Sequence, residues 1–392
     1  MLSKSKQEKI KELLNRGVEE IIVSEHLEKR LESGKKLRVK LGIDPTSPNL
    51  HLGRSITLLK LRDFQELGHK IILIIGDFTG VIGDTSDKDS ERPMLAKKLV
   101  EKNMKNYVDQ ASKIIDIKKC EVHYNSEWLG KLTYGEIGEQ ADQFSVAEFI
   151  TRDNIKRRLK EGKRVSLRET LYPLMQGYDS VAIKADVEIG GTDQRFNLLA
   201  GRTIQPSYGQ EAQDIVMMNL LEGTDGRKMS SSWGNVINIT DEPNDMFGKT
   251  MAVPDNLIMK YFEYATRIAS SEIEKFEQEL KSGANPRDIK KRLATEIVTL
   301  YHGAKAASNA ADEWAKVFSN KEKPSEIEEM KVKSKNIIEA LVETKLASSK
   351  SEAKRLLEQN GVKVDDTIAT EETEISSGNL IQVGKRKFIR IK

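Results

Sequence analysis

Residues 37–76 read LRVKLGIDPTSPNLHLGRSITLLKLRDFQELGHKIILIIG, and the fold class follows from how this stretch alternates. "LRVKLGI" (Leu37 to Ile43) and "HKIILIIG" (His69 to Gly76) are short apolar runs rich in β-branched residues, as strands are. Between them, Leu52 to Gly68 repeats apolar residues at helical spacing. Strand, helix and strand in immediate succession make a βαβ unit, which implies parallel pairing. The alternation continues with a helix-like stretch from Met94 to Ile115, "CEVHY" (120–124), "ADVEIG" (185–190), a helix-like run from Asp193 to Ile204, and "AQDIVMM" (212–218). The predicted class is therefore α/β, a Rossmann-like parallel sheet with helices on both faces. Ligands of such sheets lie beyond the carboxyl ends of the strands, so the loops after these runs are where chemistry is sought.

From Pro254 to about Lys321 the pattern turns helical, and "KSGANP" (Lys281 to Pro286) divides it. A Lys/Glu-rich stretch, "SNKEKPSEIEEMKVKSK" (319–335), reads as a linker. Beyond it, Ser349 with Glu352 forms a capping-box pattern, Gly361 closes the helix, and "VKV", "NLIQVG" and "KFIRIK" read as short strands. The expected division is a catalytic domain over 1–222, a loop-bearing helical domain over 223–325, and a small α+β tail over 326–392. The first 31 residues read as an amphipathic helix and not as a signal segment.

A chain of 392 residues, 38% hydrophobic and 32% charged, is too long for one ordinary core and is composed like a soluble globular protein. Its longest apolar run, Ile71 to Ile75, is strand-sized and far below a membrane span. Cys120 is the only cysteine, which excludes an internal disulfide and a cysteine-cluster zinc site; a cytoplasmic location is expected. Net charge is only +3, but residues 331–392 carry 13 Lys/Arg against 9 Asp/Glu. That mildly basic tail fits either a polyanion partner or a solvated surface. Lys350, Lys354 and Arg355 fall near one face of the tail helix, as a surface that follows phosphates requires.

Three loops are read together. In the first, "DPT" turns the chain after Gly42 and "HLG" begins a helix, whose N-terminus attracts phosphate. Gly53 allows close approach and His51 can donate to a phosphoryl oxygen, although alone His51 reads more readily as a capping or packed residue. The second, "EGTDGRKMSSSWGN" (Glu222 to Asn235), sets Lys228 beside three serines, suited to polyphosphate or simply a serine-rich turn. The third is a helix, "LYPLMQGYDS" (Leu171 to Ser180), where Tyr172, Gln176 and Asp179 share one face. Three polar groups on one face are costly to bury unsatisfied, so an incidental core stripe is a poor explanation.

"HLGR" and "KMSSS", in that order on an α/β chain, resemble the "HIGH" and "KMSKS" signatures of class I aminoacyl-tRNA synthetases. "GDFTGVIGDTSDKDSER" (Gly76 to Arg92), the "YPLMQGYD" helix and "GGTDQRFN" (Gly190 to Asn197) narrow the resemblance to the tyrosyl-tRNA synthetases. The tail is similar to the ribosomal-S-four type of RNA-binding fold, so the resemblance spans nearly the whole chain.

What the resemblance implies is a two-step reaction: tyrosine is activated by ATP to tyrosyl-adenylate, then transferred to the 3'-terminal adenosine of tRNA(Tyr). Asp84, Tyr172 and Gln176 would hold the ammonium group of L-tyrosine, Gln194 its carboxylate, and Asp179 its phenol. Asp193 would accept from the ribose, while Asp44, Thr46, His51 and Gly53 line the ATP loop. Lys88, Arg92, Lys228 and Ser230 would close on the leaving pyrophosphate; without the resemblance, Lys88 and Arg92 read as surface charges. Mg²⁺ is expected with the ATP, with no dedicated protein metal ligands and no zinc, and a homodimer is expected from the family. Two signature positions depart, Arg54 for the second His and Ser231 for the second Lys. Many members also carry a Tyr partner for the phenol on the first strand, where this chain has Lys40 and Leu41. The competing expectations are a tryptophanyl-tRNA synthetase, a synthetase-like RNA-binding protein without catalysis, and another nucleotidyl transferase of the superfamily.

Overall fold

The computed structural model describes residues 4–85, 93–318, 327–347, 349–384 and 387–392. Two compact units are present, Met1–Gly303 and Ala304–Lys392.

The first unit is built on a six-stranded sheet: β1 (Val18–Ile22), β2 (Arg38–Ile43), β3 (Lys70–Ile75), β4 (Glu121–Tyr124), β5 (Val187–Gly191) and β6 (Asp214–Met218). Their spatial order is β1-β6-β5-β2-β3-β4. All neighbours pair in parallel except β1, which runs antiparallel to β6. Ile71 to Ile75 are all buried, which is why this central strand reads as an unbroken apolar run. Each such side chain contributes about 1.5–3 kcal/mol by leaving water. Ile72 and Ile74 pack against Ile183, Ala185 and Trp128.

The helices that place the site are α1 (Leu52–Glu66), α2 (Lys97–Met104), α3 (Tyr107–Ser112), α4 (Ser126–Leu129), α5 (Arg168–Ala182) and α6 (Arg195–Ile204). After β6 the chain is helical through α7 (Pro243–Met251), α8 (Ile258–Ala265), α9 (Ser270–Lys281) and α10 (Pro286–His302).

Two readings of this unit are corrected. The N-terminal segment is not one helix: Gly17 takes a left-handed φ of 65°, helix gives way, and "VEEII" becomes the edge strand β1. Buried Arg16 beside it donates to the carbonyls of Glu263 (2.9 Å), Thr266 (3.0 Å) and Ile268 (2.8 Å), satisfying the C-terminal end of α8 and the turn after it. The stretch Met94 to Ile115 is two short helices, α2 and α3, broken at Lys105–Asn106.

In the second unit, strands Glu328–Met330, Val362–Val364, Thr367–Ile368, Leu380–Val383 and Lys387–Ile391 form one sheet. Part of the expected linker is thus a strand; Glu328–Met330 pairs in parallel with Lys387–Ile391, an edge position that tolerates its charged sequence. Ser349 caps the helix Lys350–Glu358 by accepting from the Glu352 amide at 3.2 Å. The left-handed residue that ends this helix is Asn360, one before Gly361. A core of Ile337, Leu341, Leu357, Val362, Ile381 and Ile389 closes the unit.

Candidate active site

A cavity of 770 Å³ opens at the carboxyl ends of β2, β3 and β5, and it gathers the loops singled out in the sequence. Asp44, Thr46, His51, Gly53, Asp84, Tyr172, Gln176, Asp179, Asp193, Gln194, Lys228 and Ser230 all line it. Lys88 and Arg92 lie outside the described residues. Lys350, Lys354 and Arg355 are exposed on the tail helix; the first two pair with Glu339 (2.7 Å) and Glu371 (3.2 Å).

The loop after β2 is braced from α2 and α3. Asn103 donates to the Pro45 carbonyl, Tyr107 to that of Ser47, and Gln110 to that of Pro48. Arg54 belongs to the same brace. Its guanidinium donates to the Thr46 hydroxyl (2.8 Å), the Asp44 carbonyl (3.2 Å) and the Tyr107 hydroxyl (3.1 Å). A hydroxyl that accepts from a guanidinium turns its own proton elsewhere, so Arg54 leaves Thr46 a donor. Ser231 meets the hydroxyl of Ser47 at 3.5 Å instead.

His51 precedes α1 and is buried, with an Nδ1 that has no partner. Burial first, then the charges of Arg54 and Lys228, push its pKa down to about 3, which keeps the ring neutral at pH 7. The start of α1 is less open to an anion than its sequence implied. Leu52 donates its amide to Ile237 at 2.9 Å, and the Gly53 amide meets the Met229 sulfur at 3.3 Å. A Cβ on Gly53 would stand 3.1 Å from His51 Nδ1 and 3.5 Å from Met229, so the glycine permits the two loops to touch.

On α5 the three polar residues do share a face, but each meets a partner outside the helix. The Tyr172 hydroxyl donates to Asp44 at 2.8 Å, and Asp44 also accepts from Thr79 at 2.7 Å. Burial lifts the Asp44 carboxyl to about 6 despite those donors. Gln176 donates to Glu188 at 3.1 Å. Asp179 accepts from Trp128 Nε1 at 2.7 Å and Asn125 Nδ2 at 3.3 Å, and burial lifts it to about 7 against the opposing charge of Lys40. Asp84 accepts from Gln194 at 2.7 Å.

Asn125 and Trp128 escaped the sequence reading, although they follow β4 at its carboxyl end, where the topology alone would have sent the search. Asn235 escaped it too. It ties the serine-rich loop by accepting from the Ser230 amide and donating to Asp225, both close to 2.7–2.8 Å. Lys228 reaches across to Asp193 at 2.8 Å, joining that loop to "GGTDQ". Among the described residues no group of three or more His, Cys, Asp or Glu is placed to hold a metal ion, and no helix is long and apolar enough to cross a membrane.

The family model for class I tRNA synthetases (W and Y) matches residues 32–319. The chain belongs to this family. An S4 domain model matches residues 338–381, inside the second unit. Within the family, the chain is 48% identical to a tyrosine–tRNA ligase of Thermotoga maritima over 98% of this chain and 97% of that one. It is 47% identical to one of Moorella thermoacetica, over 97% and 94%. Among solved structures, the tyrosyl-tRNA synthetase of Archaeoglobus fulgidus complexed with L-tyrosine shares the synthetase fold at a TM-score of 0.62, with 23% identity over 78% of this chain and 99% of that one. A C-terminally truncated mitochondrial tyrosyl-tRNA synthetase of Coccidioides posadasii aligns at 0.64, with 23% identity over 78% and 91%.

Proposed function

We infer that the protein is a tyrosine–tRNA ligase that makes tyrosyl-adenylate and pyrophosphate from tyrosine and ATP, then esterifies the 3'-terminal adenosine of tRNA(Tyr). The observation that carries this reading is one cavity holding both the Tyr172/Gln176/Asp179 face and the His51, Asp193 and Lys228 loops. In the first step the tyrosine carboxylate attacks the α-phosphorus, and in the second a ribose hydroxyl displaces AMP from the acyl group. Neither step needs a protein nucleophile; positioning and stabilisation of phosphate charge suffice.

In this reading Asp179 accepts the phenol proton, and its buried oxygens would remain underused with phenylalanine. Asp84, Tyr172 and Gln176 surround the ammonium group and Gln194 the carboxylate. Asp193 takes the ribose hydroxyls after releasing Lys228. Thr46, neutral His51, Lys228 and Ser230 donate to the phosphates over Asp44 and Gly53, with Lys88 and Arg92 assigned to the same anion. Mg²⁺ would accompany ATP as its counterion and supply neutralisation of phosphate charge, with no protein ligand assigned to it.

The S4 domain, with Lys350, Lys354 and Arg355, binds tRNA; residues 1–222 and 223–325 share amino-acid activation, the second segment bringing Lys228 and Ser230 to the cavity, and 326–392 serves tRNA contact. A homodimer is the assembly assigned to the protein; Tyr134, Val146 and Leu167, between β4 and α5, are 94%, 77% and 79% exposed, apolar side chains that a second copy could cover. The reaction is assigned to the cytoplasm. The test is exchange of labelled pyrophosphate into ATP with tyrosine, tryptophan or phenylalanine. Tyrosine-dependent exchange is expected; exchange with none, or a preference for tryptophan, overturns the assignment.

A further inference from the structure

Between β2 and α5, beside two residues that line the cavity, lies a lysine with no contact with solvent. The parallel register pairs Lys40 of β2 with Ile72 of β3 and Glu188 of β5, so its side chain rises from the sheet face that carries Ile72. Its Nζ stands 3.0 Å from Glu188 Oε1, and the two side chains are 0% and 1% exposed. The same ammonium donates to the Gln176 carbonyl at 3.0 Å and the Ser180 hydroxyl at 2.7 Å, one turn apart on α5. All three protons of the ammonium thus have acceptors. Glu188 in turn accepts from the Gln176 side-chain amide at 3.1 Å, from the Ser180 hydroxyl at 3.2 Å and from the Gln213 amide. The ion pair itself is thus fully partnered in a buried network, and two of its members, Gln176 and Glu188, line the cavity.

We propose that Lys40 is a positioning residue for the amino-acid pocket: it clamps the Gln176–Ser180 turn of α5, orients the Gln176 amide through Glu188, and sets a fixed cation behind Asp179. This rests on the tyrosine-activation reading and deepens it, because it assigns the pocket's selectivity to a side chain that never touches substrate. The groups that face Asp179 are Lys40 from β2, Glu188 from β5 and Tyr172 on its own helix, with neutral Trp128 and Asn125 from the α4 segment. Burial and Glu188 favour the protonated carboxyl, and Lys40 opposes both. An ionised Asp179 accepts a phenol proton more strongly than a neutral one, so the cation sharpens the distinction between tyrosine and phenylalanine.

Removing Lys40 alone leaves Glu188 buried and unpaired, a change that can unfold the protein for reasons unrelated to selectivity. The informative variant is therefore the pair Lys40→Met with Glu188→Gln, in which the new amide still accepts from Gln176. Pyrophosphate exchange is measured with tyrosine and with phenylalanine between about pH 6 and pH 9, beside circular dichroism and thermal unfolding. Measured against Glu188→Gln alone, so that loss of the Glu188 charge is common to both proteins, the expected result is a folded protein in which the acid limb of kcat/KM for tyrosine moves up by about one pH unit. The tyrosine-to-phenylalanine ratio should fall about tenfold near pH 7 and recover at alkaline pH, a pattern that a merely structural role would not produce. An unchanged limb and ratio, or a uniform loss at every pH, overturns the assignment of Lys40. Absence of tyrosine-dependent exchange in the unmodified protein instead overturns the activity reading beneath it.

Discussion

Replacing Arg54 with Met tests whether the departure from the family signature acts through Thr46. The substitution keeps the aliphatic stem and removes a guanidinium that donates to Thr46, to the Asp44 carbonyl and to Tyr107. The loop stays braced by Asn103, Tyr107 and Gln110, so the fold should survive. Of the three lost bonds, only the one to Thr46 ends on a side chain that lines the cavity. A hydrogen bond from a charged donor contributes about 1.5–3 kcal/mol. Taking about 2 kcal/mol, kcat/KM for ATP should fall about 30-fold while the KM for tyrosine moves less than about threefold.

The loss should also be flat between about pH 6.5 and pH 8, because burial, the largest cause, and Lys228 still hold His51 neutral there without Arg54. A double-mutant cycle with Thr46→Val should return a coupling of about 1–2 kcal/mol in kcat/KM for ATP. The assay is pyrophosphate exchange at saturating tyrosine with ATP varied. Additive losses, or equal damage to tyrosine and ATP use, would refute the reasoning.

Gly53→Ala brings a Cβ to 3.1 Å from the His51 ring. It should lower kcat for activation at least about tenfold while leaving the melting temperature unchanged or higher, since Ala favours helix by about 1 kcal/mol. Lys228→Gln removes a partly exposed ion pair with Asp193. Thermal unfolding should hardly register it, whereas activation should slow about 100-fold with tyrosine affinity retained, read by exchange kinetics and equilibrium tyrosine binding. Burial raises the Asp179 carboxyl to about 7, so the folded state binds a proton that the unfolded state does not. Stability from this group is therefore present at low pH and lost as pH rises through about 7. Acidifying from about pH 8 to pH 6.5 should stabilise the free protein relative to an Asp179→Asn variant, in which the buried neutral histidines contribute alike, yet weaken tyrosine binding by the unmodified protein, a pair of opposed trends that calorimetry and titration can check. Parallel trends would count against Asp179 as the phenol acceptor.

The sheet was legible because its parallel strands are apolar throughout and separated by helical periods; β3 needed no further information. The cavity loops were legible because each is a local pattern, a turn or a hydroxyl-rich run placed after a strand. Partnerships across the chain were not. Tyr172 meets Asp44 and Trp128 meets Asp179 across long separations that no local spacing encodes. Lys40 sits in a strand buried on both faces, where the alternation that tells inward from outward is lost, so its burial could not be read from "LRVKLGI". The strand β1 was missed for the opposite reason: "VEEII" is charged enough to pass as helix, and only pairing with β6 decides it.

Arg16 has a consequence for biosynthesis. Strand β1 needs β6 from near residue 215, and Arg16 needs the carbonyls of Glu263, Thr266 and Ile268 before its buried charge is fully partnered. The segment that carries Arg16 and β1 therefore waits for partners about 250 residues downstream, and the first unit cannot close cotranslationally until that part of the chain has emerged. Until then "VEEII" is an unpaired edge and Arg16 an unsatisfied cation. This segment is thus where nascent-chain chaperones would hold the chain longest.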